Sequence, residues 1–240
     1  MTHLILISSI RKRLTIIRLK RIVSFILVDD MLKTIVIYGD SISTTNHGHG
    51  GYMKHLEKSF PNAKIYNHAI GSSGLSLSTP NSLVSLLEFP QNIHPEADLI
   101  LIWHGTNDWY WGAPLGNAFD LDPYTFYGAL HHTLKILNTR SLHAKILFLT
   151  PLYRNEIPHQ CLKKGNAYHL KNLNGHTLKV YKEAIINAQV IHKFSLLDLS
   201  HILGTTKIKA YPYFEDLVHP NQQGYQLISK SLIEHIKNLS

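Results

Sequence analysis

The fold is decided by the stretch Thr34-Ile35-Val36-Ile37-Tyr38-Gly39-Asp40-Ser41-Ile42-Ser43. Its first half, Thr34–Tyr38, is a short β-branched apolar run, which is typical of a buried strand. The run stops at Gly39 and small polar residues follow, so we predict a tight turn and then the start of a helix. Ser41 would then lie at the carboxyl end of the first strand, where open α/β sheets bind their ligands.

Beyond residue 30, apolar strand patterns alternate with amphipathic helix patterns. The predicted strands are Thr34–Tyr38, Ala63–Asn67, Ala97–Trp103, Ala144–Leu149 and Phe194–Leu199, and the predicted helices are Gly51–Ser59, Ser82–Leu87, Phe126–Leu137, Thr177–Ala188 and Gln222–Ile236. Five strands separated by helices require right-handed crossovers and a covered parallel sheet. The predicted fold is a three-layer α/β/α sandwich, formed by one domain over residues 31–240.

Residues 1–30 form an N-terminal extension in which apolar runs flank a basic middle. Neither run reaches the ~20 residues that a membrane span needs, and no Ala-x-Ala cleavage site follows. Three interpretations stay open: an extension without a functional role, with Met31 as the start of the domain, a basic amphipathic element on a membrane surface, or an atypical export signal. We expect a cytoplasmic protein, with membrane association or export as alternatives.

The composition excludes several classes of protein. Of the net charge of +8, residues 1–30 carry +4 and the other 210 residues carry +4, without a clustered patch, so we expect no nucleic-acid partner. The single cysteine, Cys161, cannot form an internal disulfide or a Cys-x-x-Cys site.

The 17 histidines raise the question of a metal site. The closest pairs are His47-x-His49 and His131-His132, and no His-Glu-x-x-His motif or acidic cluster accompanies them. We therefore expect no metal. His47 and His49 follow Ser41 in a glycine-rich loop, and we predict that they line the mouth of a pocket.

Three further loops are predicted to reach the same sheet edge as Ser41, and one of them carries Asp216-Leu217-Val218-His219-Pro220. A serine hydroxyl is a weak nucleophile unless a base removes its proton and a third group orients that base. Asp216 and His219 can interact within one turn, although a surface turn often contains such a pair. The position before the last helix favours a catalytic role, with Ser41 as nucleophile, His219 as base and Asp216 as the orienting group.

An oxyanion would need hydrogen-bond donors at the same edge. The candidates are the backbone N–H of Ser41 at a helix N-terminus, the backbone N–H of Gly71, and the side-chain amide of Asn107. Glycine at position 71 would let the backbone approach the substrate closely. Taken alone, Gly71 is a turn glycine and Asn107 a loop asparagine. The neighbouring Asp40 and Asp108 are predicted to accept hydrogen bonds from loop backbone.

Together these blocks resemble the GDSL or SGNH hydrolases over residues 33 to about 237. The resemblance depends on Gly39-Asp40-Ser41, Gly71, Gly105-Thr106-Asn107-Asp108 and Asp216-Leu217-Val218-His219-Pro220, with Ile42 where the namesake motif has leucine. It implies a flavodoxin-like parallel sheet with strand order 2-1-3-4-5. It also implies an esterase or lipase without a cofactor, in which Ser41 attacks, His219 is acid and base, Asp216 orients it, and Ser41, Gly71 and Asn107 hold the oxyanion.

The expected substrate is a small-molecule carboxylic ester. The aromatic run Trp109-Tyr110-Trp111 and the later rings Phe119, Tyr124, Phe126 and Tyr127 could form an acyl- or sugar-binding wall, or cap the sheet edge. A carbohydrate O-acetyl esterase is therefore an alternative, and a non-catalytic binding module on the same fold is another. Residues 153–174 are predicted to form a surface excursion near the site. No Gly-x-Ser-x-Gly motif of the competing hydrolase fold occurs.

Overall fold

The computed structural model describes residues 32–154, 159, 169–216 and 218–239. The interpretations of residues 1–30, of Met31 as a start and of Cys161 concern residues outside these ranges, so they stay predictions. Among the helices in these ranges, none has the length and apolar character needed to cross a bilayer.

Five strands form one parallel sheet in the order β2-β1-β3-β4-β5, which confirms the predicted topology. The strands are β1 (Thr34–Gly39), β2 (Lys64–Asn67), β3 (Leu99–Trp103), β4 (Lys145–Leu149) and β5 (Ser195–Leu197). The helices are α1 (Met53–Ser59), α2 (Leu83–Leu87), α3 (Thr106–Trp111), α4 (Phe126–Arg140), α5 (Leu178–His192), α6 (Lys207–Ala210) and α7 (Gln222–Lys237), with 3₁₀ turns at Ser41–Ser43, Pro90–Asn92 and Tyr211–Tyr213.

The alternation of side chains along β1 separates two hydrophobic cores, because successive residues of a strand point to opposite faces. Ile35 and Ile37 pack on the face that α1 and α7 cover. Val36 and Tyr38 pack on the opposite face against α2, α4 and α5. All four side chains are fully buried. The three-layer α/β/α sandwich is therefore confirmed.

Of the local predictions at the sheet edge, the turn after β1 agrees with the structure and the loop after β3 was wrong. The tight turn predicted after β1 is a single 3₁₀ turn, Ser41–Ser43, with Ser41 as its first residue, and the next helix, α1, begins at Met53. Residues 106–111, predicted as loop, form the short helix α3. A six-residue helix is too short to show a helical hydrophobic period, and it begins after Gly105, whose φ of +114° lies in a region that L side chains rarely adopt.

The register of the sheet brings three strand exits together. Ile37 of β1 pairs with Asn67 of β2, and Gly39 of β1 pairs with Trp103 of β3. The residues that follow each strand therefore start at the same edge of the sheet. This places Ser41, the loop after β2 and helix α3 next to one another.

The buried face of β3 yields a test of the core. Leu101→Ala removes a fully buried side chain, and we expect the free energy of unfolding to fall by about 2–5 kcal/mol, because burial is lost and a cavity remains. Urea unfolding measures this loss. The matched control Leu142→Ala makes the same change at a side chain that is 73% exposed and should cost less than about 0.5 kcal/mol. Equal losses at both positions would contradict the described core.

Candidate active site

Three predicted side chains form one hydrogen-bonded chain at the sheet edge. Ser41 Oγ lies 2.9 Å from His219 Nε2. On the other side of the ring, His219 Nδ1 lies 2.7 Å from Asp216 Oδ2. With Nδ1 carrying the proton that the carboxylate accepts, Nε2 is left to accept the serine hydroxyl proton.

The loop that carries Asp216 and His219 is fixed by its own backbone. Asp216 Oδ1 accepts hydrogen bonds from the N–H groups of Val218 and His219, at 2.6 and 2.7 Å. The Glu215 N–H donates to the His219 carbonyl at 2.8 Å. Directly afterwards, the Asn221 side chain caps the first turn of α7. The helix start and the turn thus set where the imidazole lies.

The same contacts control the charge on Asp216. Partial burial raises the pKa of this carboxyl, but hydrogen bonds from the His219 ring and from the N–H groups of His219 and Val218 outweigh it. The pKa of Asp216 therefore lies below its ordinary value. The group stays a carboxylate at neutral pH, which is the form that accepts a proton from the imidazole Nδ1.

Asn107 lies in the first turn of α3 and is buried. Its Nδ2 donates to the Ser73 carbonyl at 2.8 Å, which uses one of the two amide hydrogens. The side chain lines the same pocket as Ser41 and His219. The loop asparagine of the sequence is thus a helical residue that joins α3 to the loop after β2.

Gly71 lies in that loop, and the approach of its backbone to a substrate stays a prediction. It is exposed, its φ is not positive, and a Cβ built there meets nothing within 4 Å, so no contact with the described part of the protein requires glycine. Its N–H has no hydrogen-bond partner among the described residues. The neighbouring Ser72, which the sequence did not single out, lines the pocket and has a φ of +62°.

Asp40 and Asp108 accept backbone hydrogen bonds, as predicted. Asp40 Oδ1 accepts the N–H of Ile42, and the Asp108 carboxyl accepts those of Leu75 and Ser76. Burial raises the pKa of Asp40 to about 7, although the Ile42 N–H and the charge of Arg154 act in the opposite direction. Burial also raises the pKa of Asp108, against the N–H groups of Ser76 and Leu75.

The pocket has a volume of about 470 Å³ and opens beside the serine–histidine pair. Its lining residues are Ser41, His47, Ser72, Asn107, Tyr110, Trp111, Arg154, Asp216, Val218 and His219. The aromatic run is divided between two environments: Tyr110 and Trp111 line the pocket, whereas Trp109 is fully buried in the core. Of the later rings, Phe126 also packs in the core, and Phe119 and Tyr124 are exposed.

A model of the GDSL-like lipase/acylhydrolase family matches residues 37–227. The chain belongs to this family. At the level of the family it is therefore a hydrolase of ester type. The match begins within β1 and ends within α7, so it includes residues from all five strands of the described sheet.

Solved structures share the fold of this GDSL-like chain. A Lactobacillus plantarum protein is 24% identical with a TM-score of 0.75, and the alignment covers 87% of this chain and 98% of that one. A structure described as a possible lipase from Chitinophaga pinensis is 22% identical, with a TM-score of 0.65 and coverages of 86% and 98%. A member of the lipolytic G-D-S-L family from Veillonella parvula is 17% identical, with a TM-score of 0.58 and coverages of 84% and 97%. No protein of curated function matches the chain.

Sequence reasoning about this GDSL-like chain missed Arg154. This arginine follows the exit of β4, is buried, and lines the pocket. Its Nη1 donates to Thr106 Oγ1 at 2.9 Å, and its guanidinium lies 5.1 Å from the Tyr110 ring centroid. Tyr153 and Arg154 are both buried, so the predicted surface excursion does not start at residue 153. The position of Arg154 shortly after the carboxyl end of a predicted strand was the one sequence feature that could have indicated a place in the site.

Of the two histidines predicted at the pocket mouth, one lines the pocket and the other does not. His47 lines the pocket and its Nδ1 lies 3.0 Å from Glu215 Oε2, whereas His49 is exposed and is not part of the lining. Glu215 was not singled out from the sequence. Across the described ranges, no three histidine, cysteine or acidic side chains come together in a way that could hold a metal ion.

The buried Asp40 makes stability depend on pH. Because its pKa of about 7 in the folded state exceeds its ordinary value of 3.8, the folded state holds this proton more tightly. Its contribution is present below about pH 4 and is lost as the pH rises through about 7, by up to about 1.4 kcal/mol per pH unit. Asp40→Asn should weaken this decline in the free energy of unfolding between about pH 4 and 7. Urea unfolding across that range checks it, and parallel curves for both proteins would contradict it.

Proposed function

We propose that this GDSL-like protein hydrolyses small-molecule carboxylic esters through an acyl-enzyme intermediate on Ser41. The observation that carries the proposal is the continuous hydrogen-bonded chain Ser41–His219–Asp216, with distances of 2.9 and 2.7 Å. Such a chain activates a serine hydroxyl, which is otherwise a weak nucleophile. The family membership independently supports ester hydrolysis.

In the first step, Ser41 Oγ attacks the ester carbonyl while His219 Nε2 takes the hydroxyl proton. The tetrahedral intermediate then collapses, the bond to the alcohol oxygen breaks, and His219 returns its proton to the leaving alcohol. In the second step, a water molecule attacks the acyl-enzyme with His219 again as base, which releases the carboxylic acid and restores Ser41. Asp216 stays ionised throughout and stabilises the imidazolium form of the ring.

The oxyanion that forms on the carbonyl oxygen would be held by N–H donors. The proposed donors are the backbone N–H of Ser41, the backbone N–H of Gly71 and the second amide hydrogen of Asn107. The Asn107 side chain is fixed by Ser73 and lines the pocket, and the Gly71 N–H makes no hydrogen bond to the described residues. Fixed donors need no rearrangement when negative charge develops, which is the basis of this type of catalysis.

A carbohydrate O-acetyl esterase is the second candidate. The pocket lining includes both Tyr110 and Trp111, whose rings could stack on a sugar. Values of kcat/KM on p-nitrophenyl esters from acetyl to palmitoyl, and on acetylated sugars, decide between the two. A preference for acetylated sugars over the aryl esters would favour the second candidate, whereas activity on long acyl esters would favour a lipase.

A fluorophosphonate probe tests the proposal directly, because it reacts with activated serine nucleophiles. We expect the wild type to be labelled on Ser41, Ser41→Ala not to be labelled, and His219→Ala to be labelled at least 10²-fold more slowly, since the base is lost. Mass spectrometry locates the label and circular dichroism confirms folding. If the folded wild type is not labelled and hydrolyses no ester, the proposed esterase function is wrong and a non-catalytic binding module is favoured.

Asn107→Ala tests the oxyanion side separately. Removing one donor of this kind typically costs about 10²–10³ in turnover, so we expect kcat to fall in that range while KM changes little. The relevant measurement is kcat and KM on p-nitrophenyl acetate. Asn138→Ala makes the same change at an exposed position of α4 and should leave both constants unchanged. If Asn107→Ala keeps the wild-type kcat, Asn107 is not an oxyanion donor.

A further inference from the structure

A second imidazole lies against the base of the proposed triad. The rings of His47 and His219 are stacked, with centroids 3.8 Å apart and planes inclined by 7°. This is a parallel contact at van der Waals distance, so the His47 ring covers one face of the His219 ring. The proposed mechanism gives His47 no role.

His47 is held by a carboxylate in the same way as His219. Its Nδ1 lies 3.0 Å from Glu215 Oε2, while the other oxygen of Glu215 accepts the Gly48 N–H at 2.7 Å. Glu215 and Asp216 are adjacent, so one short loop presents two carboxylates to two stacked rings. The loop that follows Ser41 is thereby attached to the loop that carries His219.

The backbone next to His47 has little freedom to move. Gly48 has a φ of +56°, and a Cβ at this position would lie 2.2 Å from the Tyr225 ring, so only glycine fits. Tyr225 belongs to α7, is fully buried, and donates from its hydroxyl to the Ile42 carbonyl at 2.7 Å. The His47 ring is therefore presented from a backbone that the core supports.

The base needs such support, because the groups that orient it are open to solvent. The Asp216 side chain is 51% exposed and the His219 side chain is 19% exposed. His219 Nδ1–H donates to Asp216, and Nε2 lies 2.9 Å from Ser41 Oγ. Both contacts lie at the edge of the imidazole, so the plane of the ring can still rotate about them. A ring stacked on one face opposes that rotation, because the two rings are already in van der Waals contact.

We propose that His47 is a positioning residue that keeps the His219 ring aligned with Ser41 Oγ, and that Glu215 anchors it. This inference rests on the proposed esterase function. Alignment of the base affects the chemical step, because small displacements of reacting groups from their productive geometry cost large factors in rate. Because His47 also lines the pocket, a KM measured beside kcat separates alignment of the base from contact with the substrate.

The test compares two substitutions at position 47. His47→Ala removes the stacked ring, and we expect kcat on p-nitrophenyl acetate to fall about tenfold or more, with KM within about twofold. His47→Phe keeps a flat ring over His219 but cannot bond to Glu215 or take up a proton, and kcat should recover to within about threefold of wild type. The control His49→Asn replaces an exposed histidine of the same loop, whose φ is +55°, with a residue that tolerates this conformation.

Fluorophosphonate labelling supplies a second readout, because it requires an activated Ser41 but no substrate alcohol. The labelling rate of His47→Ala should fall by a factor similar to that of kcat. If KM rises while kcat holds, His47 contacts substrate and the inference is overturned. It is likewise overturned if His47→Phe is as slow as His47→Ala, or if both match wild type. Wild type without labelling or esterase activity would instead refute the proposed function.

The anchoring role of Glu215 is tested by a double-mutant cycle. Glu215→Ala should lower kcat less than His47→Ala, because the ring stays but is no longer held. The double variant should be no slower than His47→Ala alone, since both residues act through one contact. Effects that multiply would show that Glu215 acts independently and would overturn the anchoring part. Thermal unfolding of each variant separates these effects from loss of the folded state.

Discussion

The structure depends on the parallel pairing of β1 between β2 and β3. The register that joins Gly39 to Trp103 and Ile37 to Asn67 fixes where three chain segments leave the sheet. Because parallel strands all point the same way, residues far apart in sequence start their loops at one edge. The candidate site is built from these loops and from the one before α7, and none of them could form it alone.

The segments that carry the proposed oxyanion donors are tied to the sheet by hydrogen bonds. The Gly39 carbonyl accepts the Ile70 N–H at 3.0 Å, and the Ser73 carbonyl accepts the Asn107 amide at 2.8 Å. The buried Asp108 holds the next stretch of this loop by its backbone N–H groups. Buried polar networks that are satisfied in this way are rigid, because any movement leaves a desolvated group without a partner. Donors proposed for an oxyanion benefit from that rigidity.

The proposed base, His219, is held in place in a different way from the proposed donors. Its carboxylates, Glu215 and Asp216, are both exposed to solvent, and they act through short hydrogen bonds to two stacked rings. Water weakens each such contact, so orientation there depends on several contacts made together. The segments that carry the proposed oxyanion donors are thus held mainly by buried hydrogen bonds, whereas the proposed base is held by ring stacking and by the turn that carries it.

The sequence predicted the fold well because hydrophobic periodicity reports burial directly. The apolar runs of β1 and β3 and the stripes of α5 and α7 are consequences of facing a core, and each could be recognised in isolation. It failed at α3, because a helix of six residues shows no hydrophobic period. The residue types of Ser41, Asp216 and His219 follow from the needs of an activated serine. Their order along the chain, and the place of Asn107 among them, were expected from the resemblance to the GDSL hydrolases.

By itself, the sequence determined the layer architecture, the strand order implied by its family resemblance, and the candidate residues of the triad. Only the tertiary structure decided that Arg154 lines the pocket, that Trp109 faces the core while Trp111 faces the pocket, and that His47 lies on His219. The physical reason is that these contacts join residues from different loops. Their partners are set by the geometry of the sheet edge, and no periodicity or local spacing records that geometry.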